Sequence, residues 1–450
     1  MTPAAARQIL SWCDMNFKKP RAATVVLKPL LESHGRFYLH LHGIALIAIA
    51  LVLGSVTPAL GAVVNIRAEF SADPSRPGNN TFENKTPNSS QFCVQYPSSC
   101  LSRGIVSISA PISFKNSSTI IANHADPRQG MMVRVNSEWR SLTVTDSQTL
   151  STEQVKIRIT AFGTVTDIRP NNIHELVPEA TSWTDGHRRL WSGGFLSSGA
   201  SPCISLQVPY LDGTVFGFFW TTPVPGATCS KQALYNIPSL RFRTTDFAYE
   251  MQTPNPLQIS TGEYTGELTY TLGPNQDLDM GDNLLPDDST LTLRFSLGVL
   301  HVLQIVIPPG GNKIELTPKG GWQQWLQKGR VPEKIYRDQT VLISASSRFK
   351  MQLSCDRVIG DTCAISNSSH EVPVDVRVSM PNGIANDGDS SAVSRKPLSV
   401  TTAQVFKSTF YVDNRASTLH FEIQKRHVEE MLSEQGNYKG NITAIWDSDI

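Results

Sequence analysis

The stretch from Gly436 to Ile450 constrains the fold of this chain more than any other. Tyr438, Gly440, Ile442, Ala444 and Trp446 recur at every second position, with Lys439, Asn441 and Thr443 between them and Ile445 as the exception. Alternation of this kind marks a strand with one face buried. Chain ends fray unless they are tied into a sheet, so this strand is expected to be paired inside the fold. Nothing after it would cover its open side. An exposed apolar edge recruits other strands unless it is charged, twisted or shielded, and the expectation is that another chain covers it.

The rest of the chain reads as all-β. Thr, Ser, Val and Ile dominate its middle, turn residues punctuate it at short intervals, and long helical patterns are nearly absent. At 450 residues there is room for two or three domains. The formal net charge is +1 and charged residues make up 18%, so the basic footprint of a nucleic-acid partner is missing.

One apolar run near the start, Ile44 to Leu53, is short for a membrane span. Lys18, Lys19, Arg21, Lys28 and Arg36 precede it, and the small residues Ala59 and Gly61 follow. This is the layout of an export signal cut before Ala62, giving a leader over 1–61 whose true start is better placed at Met15. A membrane anchor is the other reading of the same run. Six cysteines remain after the leader, in three local couples: Cys93 with Cys100, Cys203 with Cys229, and Cys355 with Cys363. An even count in an exported chain points to disulfides, and the couples predict sequential pairing. No Cys-x-x-Cys and no nearby His pair supports a zinc site, and no metal or cofactor is expected.

After the leader, Val64, Ile66, Ala68 and Phe70 alternate. This is either a strand donated to a neighbour or the first strand of the chain's own N-terminal domain, and the whole domain that follows favours the second. Strands are predicted over 104–112, 131–135, 142–145, 155–162, 204–208 and 216–220. Pro254 and Pro256 read as a linker, which separates an N-terminal domain over 62–252 from a C-terminal one over 262–450, with 253–261 between. In the second domain strands are predicted over 264–272, 289–295, 301–307, 313–316, 341–346, 348–355, 372–379 and 408–412. Trp322, Trp325 and Leu326 stand at core-facing helical spacing. Residues 427–435 read as a short helix stopped by Gly436.

A polar turn followed by Tyr-x-Gly-x-Ile-x-Ala-x-Trp-Asp resembles the closing strand of a chaperone–usher pilin domain, and the order of strands and the last cysteine couple extend the resemblance over 262–450. The preceding β domain resembles, in architecture alone, the receptor-binding half of a two-domain fimbrial tip adhesin. The resemblance implies two β-sandwich domains. The second is an incomplete immunoglobulin-like fold that a donor strand completes, its groove edge being Tyr438, Gly440, Ile442, Ala444 and Trp446. The implied partners are a periplasmic chaperone, an outer-membrane usher, a neighbouring pilin subunit and a surface receptor, a glycan being one candidate. The implied place is the tip of a surface fimbria, reached through the periplasm.

No catalytic constellation stands out. There is no Gly-x-Ser-x-Gly, no His-Glu-x-x-His and no phosphate-binding glycine loop. Ser347 and Lys350 match Ser-x-x-Lys but sit in a strand pattern, where the two side chains do not meet. The chain is therefore not expected to be an enzyme. Asp277–Asp282 lacks the glycine and the terminal glutamate of a calcium loop and reads as a solvated turn. The ligand-binding candidates are Trp183, Asp185, His187, Arg188 and Trp191, in a polar, glycine-containing run that also holds Arg189. An indole packs on the apolar face of a sugar and neighbouring charges take its hydroxyls. The competing reading makes Trp183 and Trp191 core residues, as Trp139 and Trp220 are expected to be. Three functions stand open: a receptor-binding tip adhesin, a tip subunit that caps the fibre and binds nothing, and a β-sandwich enzyme acting on glycans.

Overall fold

The structure is a computed structural model that describes residues 7–12, 61–169, 172–207 and 212–448. The chain folds into two β domains. A short strand, β1 (Arg7–Trp12), lies in the stretch read as leader and takes its partner from the far end of the chain. The expected cleavage region and the apolar run 44–53 lie outside the described residues.

The first domain begins with β2 (Ala62–Ser71), whose Val64, Ile66, Ala68 and Phe70 are all buried. This strand therefore belongs to the chain's own domain. It is followed by β3 (Arg140–Asp146) and β4 (Thr152–Arg169). Next come helix α1 (Trp183–Leu190) and β5 (Val215–Thr221), then β6 (Thr245–Gln252), β7 (Gly262–Thr271) and β8 (Thr290–Leu300). The long β4 is the spine: β3, β5 and β6 all pair with it antiparallel. From β3 the sheet continues through β7 to β8, and β2 closes it by pairing parallel with β8 from Ala62↔Leu291 to Ser71↔Leu300.

That pairing corrects the expected domain boundary. Residues 253–261 are not a linker between domains. Pro256–Gln258 forms one tight helical turn with Leu257 and Ile259 buried, and the chain then re-enters the same sheet as β7. Tyr264, Tyr270, Leu293 and Phe295 pack in the first core. Prolines that read as a spacer serve here as a turn, and the sheet passes to the second domain only at His301–Val302.

The second domain contains β9 (Leu303–Val306), α2 (Gln323–Lys328), β10 (Lys334–Ala345) and β11 (Phe349–Cys355). It continues with β12 (Glu371–Ser379), β13 (Gln404–Ser408), β14 (Val412–Gln424), α3 (Lys425–Glu434) and β15 (Ile442–Ser448). One sheet runs β9-β10-β14-β12 and the other β1-β15-β11-β13. Both sheets contribute to one core, with Val341, Ile343, Val374 and Phe421 from the first and Phe349, Phe406 and Trp446 from the second. All three cysteine couples are bonded as the spacing predicts, with Cα separations of 5.6, 5.8 and 5.6 Å.

The junction is held by His301. Its Nε2–H donates to the Ile259 carbonyl at 2.9 Å, and its Nδ1 lies 3.0 Å from the Ser346 hydroxyl, which also accepts the Val302 N–H at 2.9 Å. The ring packs on Phe70 at 5.5 Å. Burial pushes the imidazole pKa below its ordinary 6.5. A histidine held neutral by burial contributes stability above its unfolded pKa that is lost as pH falls. We therefore expect the junction to loosen below pH 6.5. Limited proteolysis should cut at 300–303 faster as the pH is lowered, and His301→Gln should remove that dependence. A cutting rate independent of pH in the parent chain would contradict this reading.

Candidate functional site

Two surfaces carry the functional argument. The first is the outer edge of β15. One side of this strand pairs with β11, from Phe349↔Ser448 to Cys355↔Ile442. Ile442, Ala444 and Trp446 are buried beneath it, while Thr443, Ile445 and Asp447 are half-buried on its other face. The fully buried Trp446 ring stacks on Phe349 at 5.9 Å, and Phe349 meets Phe406 at 5.5 Å. The other side of β15 pairs only with β1 among the described strands, antiparallel from Arg7↔Asp447 to Trp12↔Ile442. The backbone edge beside the last strand is thus of a kind that accepts an added strand.

The expected groove residues divide into two groups. Ile442, Ala444 and Trp446 lie in β15. Tyr438 and Gly440 lie in the approach to it: Tyr438 Oη is 3.1 Å from His370 Nδ1, and Lys439 bridges Ser366. A side chain at Gly440 would meet the Ala364 carbonyl at 2.9 Å. These two residues therefore flank the groove edge without forming it.

The second surface is built by α1. Trp183–Leu190 is a helix and not the loop that its glycine suggested, and Trp191 follows it in extended backbone. Ser182 caps it by accepting the Asp185 N–H at 3.1 Å. Gly186 sits inside it because any Cβ there would meet Ile173 at 2.7 Å. The side chains of the run separate sharply. Trp183 is 52% exposed, whereas Trp191 is 1% exposed and bridges Ala233. His187 is fully buried, with Nε2–H donating to the Asp212 carbonyl at 2.8 Å and its ring stacked 5.2 Å from Phe216. Its burial pushes the pKa down, so the ring is neutral. Trp191 and His187 are therefore core residues, and their expected role as ligand contacts is corrected: His187 faces inward from the helix, and Trp191 is buried just past its end. Trp220 is buried as expected, and Trp139 is half-buried beneath the Arg158 guanidinium at 4.8 Å.

Asp185 is buried too, but it faces the surface cations. Its carboxylate accepts from Arg188, from Arg189 Nε at 2.7 Å and from the Thr181 N–H at 3.2 Å. The Arg188 hydrogen bond first, then that of Thr181, holds its pKa well below the usual carboxylate range. Asp185 thus positions two guanidinium groups that are themselves about half exposed. Tyr235, whose hydroxyl donates to Glu179 at 3.2 Å, lies within electrostatic reach of Arg189. Glu179 lies just before α1, but Tyr235 is distant in sequence, and no local pattern could have placed it there.

No family model matches the chain, and no curated protein is similar to it in sequence. Solved structures are. The CFA/I adhesin CfaE of enterotoxigenic E. coli, as a point mutant, is 10% identical, covering 86% of this chain and 95% of its own, with a TM-score of 0.23. A chain from a chaperone–tip adhesin complex of CFA/I fimbriae is 13% identical, covering 76% of this chain and 92% of its own, with a TM-score of 0.22. A chain from the CsuC–CsuE chaperone–tip subunit pre-assembly complex of archaic Csu pili, from Acinetobacter baumannii, is 9% identical. It covers 86% of this chain and 98% of its own, with a TM-score of 0.21. Superpositions with TM-scores of 0.21 to 0.23 add nothing to the fold argument, which rests on the sheet pairings.

The acidic stretch Asp277–Asp282 is not the solvated turn expected of it. Asp279 is buried and, with Asp282, clamps Arg128 at 2.9 and 2.7 Å, while Asp277 pairs with Arg140 at 3.2 Å. Arg134, Asn136 and Gln276 line an open polar cleft of about 380 Å³ beside it. Asp277 is engaged there by Asn136, Arg140 and Thr271, which leaves the α1 surface as the better-presented group of side chains.

The two tryptophans of α1 should behave oppositely. Trp191→Ala is expected to cost about 3–5 kcal/mol of stability, the usual range for deleting a core aromatic. Trp183→Ala should change it by no more than about 0.5 kcal/mol. Denaturant midpoints of the two variants check this; equal losses would mean that Trp183 too is structural.

Proposed function

We propose that this chain is a fimbrial tip adhesin. Its second domain joins the pilus by accepting a donor strand along β15, and its first domain attaches to a surface receptor. The observation that carries the reading is β15 itself, a strand with a fully apolar inner face and an outer edge matched only by β1 among the described strands. Strand addition at such an edge draws affinity from main-chain hydrogen bonds and specificity from alternate side chains. A periplasmic chaperone supplies the strand first, an outer-membrane usher passes the subunit on, and the neighbouring pilin subunit supplies the strand in the fibre at the cell surface.

The receptor site on this reading is the outer face of α1, made of Trp183, Arg188 and Arg189 with Asp185 behind them. An exposed indole on the same short helix as two oriented guanidinium groups suits a glycan that carries a carboxylate or sulfate. Asp185 serves as a positioning residue and does not touch the ligand. The alternative, a tip subunit that binds nothing, keeps the strand acceptor and drops the receptor site.

Without a strand-donating partner, the exported chain lacking 1–61 should aggregate or be degraded in the periplasm, and co-expression with its cognate chaperone should yield a soluble one-to-one complex. Recovery of a soluble, protease-resistant monomer from cells lacking any partner would sink the strand-acceptor reading. Trp183→Ala, tested in that chaperone complex, should weaken adhesion by about 1–3 kcal/mol, as an exposed binding tryptophan does, with the melting temperature unchanged. Wild-type adhesion from both Trp183→Ala and Arg188→Ala would move the receptor site elsewhere or leave the inert tip as the answer.

A further inference from the structure

The excursion between β9 and β10, residues 307–333, contradicts its sequence pattern. Trp322, Trp325 and Leu326 stand at the spacing of a core-facing helix, yet α2 buries none of its residues. Leu326 is 71% exposed, and Trp325 and Trp322 are half-buried, with Trp322 resting on the second core. Gly329 ends the helix in the left-handed conformation at φ 62°, its N–H donating to the Trp325 carbonyl. Lys319, Lys328 and Arg330 ring the helix, exposed, with no carboxylate partner among the described residues. An exposed apolar centre with a charged rim is the anatomy of a docking surface.

Strand polarity fixes where this surface lies. Leu303 pairs with Ala345 and Val306 with Leu342, so β9 leaves the first domain at one pole and runs away from it. The excursion follows, and Thr317–Pro318 pairs with Ile335–Tyr336 at the start of β10, so it sits at the opposite pole. β11 then runs from the junction pole outward, and its Cys355 is level with Ile442 of β15. The strand β1 lies antiparallel to β15 and reaches Ile442 with its own C-terminal residue, Trp12. Any strand taken up with this polarity leaves the groove at the pole that carries the excursion.

We infer that the apolar excursion around Trp322, Trp325 and Leu326 docks the body of the subunit whose N-terminal strand fills the β15 edge. The inference rests on the strand-acceptor reading above. The residues that follow the donated strand emerge at the pole that carries α2, so the folded part of the donor is delivered to that end of the domain. The matching surface on the donor is an apolar patch rimmed by carboxylates, which answers Lys319, Lys328 and Arg330.

The test compares two probes on the same chain, prepared as its chaperone complex: the purified neighbouring fimbrial subunit, and a synthetic peptide of that subunit's N-terminal strand alone. Leu326→Asp, and separately Trp325→Ala, should speed dissociation of the whole subunit at least tenfold and leave peptide uptake unchanged. The loss caused by Lys328→Glu should shrink as salt is raised, because rim charges act through a screened field. Unchanged dissociation of the whole subunit from Leu326→Asp, with peptide uptake intact, overturns the docking surface and leaves strand acceptance standing. Failure of the unmodified chain to take up either probe overturns both. An equal loss with peptide and whole subunit would show that the excursion supports the groove itself, and would also overturn the docking role.

Discussion

The second domain depends on the hydrogen-bonding capacity of one strand, β15, next to the edge of its sheet. β15 is anchored on its inner side by β11 and beneath by the Trp446–Phe349–Phe406 stack. Its outer backbone still presents donors and acceptors that a sheet must pair or shield. Lysines, prolines and bulges protect ordinary edges; Ile442–Ser448 has none of these. Loss of the outer partner would expose the flank of a strand whose Ile442, Ala444 and Trp446 form part of the domain core. Completing the sheet and stabilising the core are therefore the same event here.

Much of this was legible in the chain itself. The alternation that ends at Trp446 located β15, and the local cysteine couples gave all three disulfides. The alternation after Ala62 gave β2, because a strand with one buried face writes its period into the sequence. Failures came where tertiary context overrode local pattern. The 13-residue β14 went unrecognised because its first half, Asp413 to Arg415, is polar and exposed while its second half is buried. Pro254 and Pro256 read as a spacer because no local signal says whether the chain returns to the sheet it left. Only the non-local pairing of β7 and β8 with β3 and β2 decides that.

The candidate receptor surface shows the same limit more sharply. Composition singled out Trp183, Asp185, His187, Arg188 and Trp191 as one stretch, but composition carries no direction. The helix covers only 183–190: Trp183 opens it at the surface, while Trp191 follows its end in extended backbone and bridges Ala233, so the two indoles part company. Gly186 misled because glycine usually reports a loop; here it reports the close approach of Ile173. Trp322, Trp325 and Leu326 show the reverse error, a core-like spacing on a helix that buries none of its own residues, with only the capping Trp322 resting on the core.

The layout of the second domain has a mechanical side. The first domain is tethered at one pole through His301, and a strand laid on β15 leaves at the other. Tension applied between the first domain and a strand held on β15 would then run along the strand direction. A strand pulled along its own axis is loaded in shear, so the rungs of the ladder share the force and must fail together. Peeled from one end, the same rungs would open in turn under far smaller loads. The antiparallel register of the six residue pairs between β1 and β15 therefore describes a joint that resists pulling along the strand axis.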